Sequence, residues 1–189
     1  FLIISLIVCA ADKKAADEID HVALAALLLK DGFFDRAYDE LKQVNIEDED
    51  LDLTKFYTVK GLTLTKLSKY EEANAAFSNA LGFEDAEKAL YLYIAQNSYK
   101  LKKYQDALDA ISNAGALAEE KVSVISLKAE CNWRLKQYET ALEVLRAGIA
   151  KFKTEWNFYK QRFNYLVALN LSQSALEDAQ VYLENAKPN

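Results

Sequence analysis

The sequence predicts an all-α chain folded as a solenoid of antiparallel helix pairs. Three observations carry this. One figure recurs three times at a fixed step: Tyr70, Ala73, Phe77, Ala80; then Tyr104, Ala107, Ile111, Ala114; then Tyr138, Ala141, Leu145, Gly148. The even spacing of Ala73, Ala107 and Ala141 marks a repeat architecture of the helix–turn–helix kind, whose period is about 34 residues. Breakers are scarce, with five Gly and a single Pro at position 188, so little interrupts helix formation. Between amphipathic stretches lie turns of two or three residues, short enough to force antiparallel neighbours.

Taken in order, residues 1–14 read as a signal-peptide-like or membrane-anchor segment, and residues 15–189 as one helical repeat domain. Phe1–Ala11 is apolar but for Ser5, and too short for a bilayer, which takes about 20 residues. Its length suits the apolar core of a secretory signal, with Val8 and Ala10 placed for cleavage after Ala10. Leu6–Cys9 resembles a lipidation motif, although Val8 departs from the small residue expected there. A core helix is the third reading. The remaining chain divides into helix pairs at 15–31 and 34–45, 53–67 and 70–82, 86–101 and 104–116, 120–135 and 138–151, and 155–172 and 175–187. The corresponding repeats run at about 19–52, 53–85, 86–119, 120–154 and 155–187.

In register, the pairs share small residues at Ala25, Gly61, Ala95 and Ala129, twelve positions before Ala37, Ala73, Ala107 and Ala141. Small side chains let the two helices approach, and the large apolar ones fill the groove to the next pair. For the last pair the reading takes Ala179 as the key alanine, a longer step than between its predecessors. Val167 then occupies the small position, and the turn falls at Gln173-Ser174-Ala175. One pair cannot cover its own apolar face, so the pairs must stack.

These residues resemble the tetratricopeptide repeat (TPR) family over about residues 19–187. The family's proline after the second helix is replaced by Glu49, Asp85, Glu119 and Lys153, and its tryptophan by His21, Tyr57, Tyr91, Ile125 and Phe163. The resemblance implies a right-handed superhelix, with the first helix of each pair lining a concave groove that takes a protein or peptide partner. The candidate groove residues are Thr58, Leu62, Thr65, Lys66, Leu92, Gln96, Tyr99, Lys100, Glu130, Trp133 and Arg134. Tyr, Trp and Arg are common interface anchors, and cations beside Tyr99 and Trp133 suit an acidic or aromatic-bearing peptide. Some family members grip acidic chaperone tails with a Lys and Asn clamp. Val22 and Ala26, or Thr58 and Leu62, stand in those places here, which disfavours that role.

Chemistry beyond binding finds no support. No phosphate-binding glycine loop, HExxH, CxxC or GxSxG occurs. The single histidine, His21, lacks catalytic company, and Cys9 and Cys131 suggest neither a disulfide framework nor a metal site. No cofactor is expected. A net charge of −6 argues against nucleic acid. The acidic run Asn45–Leu53 reads as a solvated turn feeding a helix N-terminus. Together these suggest a non-enzymatic scaffold or adaptor, exported to the periplasm or anchored in a bacterial envelope, within a secretion, pilus or motility assembly. The alternative is a cytoplasmic chaperone for secretion substrates. The last helix, with Val181, Tyr182 and Leu183, suggests self-association through an open end.

Overall fold

The computed structural model describes residues 19–185, so the apolar start and the readings attached to it lie outside the described residues. Eleven helices follow one another, with no strand among the described residues: α1 (His21–Lys30), α2 (Phe34–Leu41), α3 (Leu53–Lys66), α4 (Tyr70–Ala80), α5 (Leu90–Lys100), α6 (Tyr104–Ala114), α7 (Ala116–Glu119), α8 (Val122–Arg134), α9 (Tyr138–Lys151), α10 (Trp156–Ala168) and α11 (Ser172–Asn185). Setting aside the single turn α7, they form five antiparallel pairs.

Every pair is closed by the same turn. The residue after the first helix's C-cap takes a left-handed conformation: Gly32 at φ +85°, Ser68 at +60°, Lys102 at +61°, Lys136 at +63° and Asn170 at +58°. The next backbone N–H reaches back five residues, as Lys69 to the Leu64 carbonyl and Leu171 to the Leu166 carbonyl, both at 2.9 Å. This is the Schellman arrangement, which satisfies carbonyls that a helix end leaves orphaned. At the opposite edge, Asp20 and Asp52 accept from the Ala23 and Lys55 amides at 2.8 Å and cap α1 and α3. The acidic run is a surface loop in which Asn45 and Asp48 side chains accept from the Glu47 and Asp50 amides.

The small residues do what their spacing requires. Ala25, Ala37, Ala73, Ala95, Ala107, Ala129 and Ala141 have no exposed surface. A Cβ on Gly61 would lie 2.6 Å from the Phe77 ring, so only glycine admits that ring between α3 and α4. Each space between pairs is then filled from the next pair. Phe56 lies under the first pair's Ala37 and Leu41, and Phe158 under Ala141 and Leu145.

The last pair departs from the sequence reading. Its turn is Leu169-Asn170-Leu171, and Asn170 stands as far beyond Lys136 as Lys136 stands beyond Lys102. Ala175 is therefore the buried alanine, while Ala179 is only half-buried. The reading's Gln173-Ser174-Ala175 lies inside α11. Val167 is a surface residue, Phe163 holds the position taken by small residues elsewhere, and Ala186 lies outside the described residues. Asparagine tolerates the left-handed region, so the turn keeps the even step that the apolar pattern of this pair obscures.

Candidate partner-binding groove

First helices meet one another along the molecule. α1 packs on α3, and α5 on α8. Between α3 and α5, the Asn97 amide donates to Thr65 Oγ1 at 3.0 Å. Between α8 and α10, Trp133 stacks on Tyr165 with ring centres 4.1 Å apart. Second helices diverge instead: a cleft of about 670 Å³, lined by Leu108, Ile111, Thr140 and Val144, opens between α6 and α9. A stack closed along its first helices and open along its second is concave on the first-helix side.

That side holds most of the candidate residues. Gln96, Lys66 and Lys100 are exposed, and neither lysine forms an ion pair among the described residues. Thr58, Leu62 and Tyr99 are half-buried. Thr65 is also half-buried, but its hydroxyl already donates to the Gly61 carbonyl and accepts from Asn97. It holds the groove together and has little left to offer a partner. Leu92 corrects the sequence reading. It is 5% exposed and packs with Ala95, Ile111 and Val124. Val22, its counterpart in the first pair, is buried too, so an apolar side chain at this repeat position turns into the core.

Glu130, Trp133 and Arg134 converge with a residue the sequence reading missed. Tyr165 O–H donates to Glu130 Oε2 at 2.5 Å, and Arg134 Nε donates to Glu130 Oε1 at 2.7 Å. Gln161 donates to the Ser126 carbonyl and to the Tyr165 oxygen. Burial, then the bond to Glu130, pushes the Tyr165 phenol well above its usual range. Burial and the same carboxylate raise Tyr99. The hydrogen bond to Glu130 raises Arg134. Trp133 meets Tyr165 on one side and Tyr138 at 4.7 Å on another, so it enters the groove as part of a packed stack. Tyr165 was hidden because the longer step misaligns the last pair. At the even step it continues the row Thr63, Asn97 and Cys131, all buried.

Among the described residues no catalytic constellation emerges. His21 Nδ1 lies 2.8 Å from Glu40 Oε2, a contact that ties α1 to α2. Burial raises the Cys131 thiol to about 11, which leaves it protonated and unreactive near neutral pH. No group of metal-ligating side chains occurs among the described residues, and no described helix is long and apolar enough to cross a membrane.

No family model matches the chain, and no curated protein matches it. Solved structures do. A double mutant of MamA RS-1 is 18% identical with a TM-score of 0.75, covering 88% of this chain and 94% of that one. MamA from Desulfovibrio magneticus RS-1, residues 41 to the end, is 19% identical with a TM-score of 0.74, covering 88% and 95%. YrrB, described as a TPR protein with an unusual peptide-binding site, is 18% identical with a TM-score of 0.74, covering 95% and 91%. At these identities the likeness is one of fold, and it agrees with the turns, the small-residue register and the five pairs. The chain folds as a right-handed superhelical solenoid of the tetratricopeptide-repeat type.

Proposed function

We propose that the protein is a non-enzymatic interaction scaffold that holds a segment of a partner protein against its first-helix groove. The observation that carries this is the groove itself. It is preformed by inter-pair contacts such as Thr65–Asn97 and Tyr165–Glu130, yet leaves Gln96, Lys66 and Lys100 exposed along its length. A preformed surface lowers the ordering cost of binding, which suits an extended or helical segment. The peptide-binding site named for the similarly folded YrrB supports the same reading.

Export to the bacterial envelope is part of the proposal. It rests on the apolar run Phe1–Ala11, and a place in a secretion, pilus or motility assembly follows from export. Finding the intact chain in soluble cytosol would turn the reading to the cytoplasmic chaperone. The test of binding is affinity capture from the native host with two variants. Gln96→Trp with Lys100→Glu blocks the groove at two exposed positions, and Ser112→Trp alters the opposite cleft. The expected result is that partners are lost with the first variant and kept with the second. Equal capture by both overturns the groove assignment.

A further inference from the structure

The antiparallel pairs place every turn within a pair at one long edge of the solenoid and every loop between pairs at the other. These edges carry opposite charge. The five four-residue turn segments beginning at Lys30, Lys66, Lys100, Arg134 and Ala168 hold eight cations and one carboxylate, Asp31; the first turns of the helices that follow add Arg36 and the carboxylates Asp35, Glu71, Glu72, Asp106 and Glu139, and the edge stays net positive. The connections at 42–52, 81–89, 115–121 and 152–155 hold eleven carboxylates and four cations.

Local structure accounts for only half of the basic edge. Lys30, Lys66, Lys100 and Arg134 end first helices, where a cation is favoured by the helix dipole. Lys69 and Lys103 stand at the N-caps of α4 and α6, where the dipole disfavours a cation and neither makes a side-chain cap. Lys102 and Lys136 take left-handed backbone at φ +61° and +63°, positions filled by Gly32 and Asn170 in the outer turns. All four lysines are exposed. Lys69 and Lys103 each make one long ion pair, with Glu72 and Glu71 at 4.0 Å, and Lys69 also lies over the Tyr38 ring, whereas Lys102 and Lys136 form no ion pair among the described residues.

The chain also supplies a matching surface. Glu47, Glu49 and Asp50 are exposed in the loop before α3 and form no ion pair among the described residues. They cannot reach their own basic edge, because the 14 residues of α3 separate the two edges by about 20 Å. We propose that the basic edge around Lys69, Lys102, Lys103 and Lys136 docks the acidic Glu47–Asp50 loop of a second copy, side by side. A nucleic acid or an anionic lipid surface would also meet the lysines. It would leave the acidic edge unused and be repelled by it, whereas a second copy uses both edges. The contact joins unlike surfaces: it closes as a two-fold dimer where both edges of two copies engage each other at once, and otherwise propagates or forms a ring. It is independent of what the groove holds.

The test is sedimentation velocity of the full chain. In about 0.01 M salt, where charges act over about 30 Å, the expected result is mass that grows with protein concentration; in about 1 M salt, where they act over about 3 Å, monomer. Lys102→Glu, Lys103→Glu and Lys136→Glu together put carboxylates in place of three of the docking lysines. Glu47→Lys, Glu49→Lys and Asp50→Lys put cations in the acidic loop, and they spare Asp48 and Asp52, whose side chains hold backbone amides. Each triple variant alone is expected to associate at least about tenfold more weakly than the parent. Their equimolar mixture is expected to recover association, with circular dichroism confirming native helix content in each. A parent that stays monomeric in low salt overturns the proposal, as does a mixture no better than its parts. Association that survives high salt and is lost on Leu176→Glu with Leu183→Glu also overturns it, and assigns contact to the apolar end face.

Discussion

Gly61 shows how far a single position is dictated by packing. Alanine favours helix over glycine by about 1 kcal/mol, yet a Cβ here meets the fully buried Phe77 ring at 2.6 Å. Overpacking costs about 1–3 kcal/mol, so Gly61→Ala is expected to lower stability on balance, as read by chemical denaturation. Lys102 presents the opposite case. Its left-handed backbone suits glycine, and Lys102→Gly is expected to stabilise the chain by as much as about 1 kcal/mol. Cys131 brings a pH effect. Its folded pKa is raised by burial from 9.0 to about 11, so its contribution is intact below pH 9 and lost as pH rises toward 11. Denaturation midpoints should fall across that window, and fall less steeply in Cys131→Val. The small-residue positions were legible because they repeat. Leu92 was misjudged because apolar groove residues and apolar core residues look alike in sequence, and only its contacts with Ala95 and Ile111 separate them.

At the scale of elements, the turns are the most regular feature and the last pair the least legible. Small residues fill four of the five first-helix positions, and all five key alanines, Ala175 included, follow a nearly even step, because each alanine sits where two helices touch. The fifth pair replaces the small residue by Phe163 and exposes Val167, Leu176 and Leu183, so its apolar pattern no longer marks the buried face. Asn170 at the left-handed position was the available signal, and with it Tyr165 aligns with the buried row. The register has a direct check. Ala175→Leu is expected to cost about 1–3 kcal/mol by overpacking at a 3%-exposed site, while Ala179→Leu should cost less. Equal costs, or the reverse order, would restore Ala179 as the key alanine. The same alignment explains the Glu130 cluster. Tyr165→Phe removes a hydrogen bond to a charged group, and such a bond contributes about 1.5–3 kcal/mol.

At the scale of the whole molecule, the proposed function rests on curvature. First helices close on one another, second helices spread, and the exposed polar side chains of the first helices face the enclosed side. The sequence could indicate this surface only through resemblance, because spacing alone does not say which helix of a pair lies inside the curve. Contacts such as Trp133–Tyr165, set against the open α6–α9 cleft, do say so. The most direct measurement of the groove assignment is photo-crosslinking in the native host from one reporter side chain at Gln96 and another at Ser112. Gln96 lies on the enclosed side and Ser112 on the opposite cleft, and both are exposed. Partner adducts from Gln96 and none from Ser112 are the result expected of a first-helix groove. Adducts from Ser112 alone would place the binding surface on the other side of the solenoid and contradict the account.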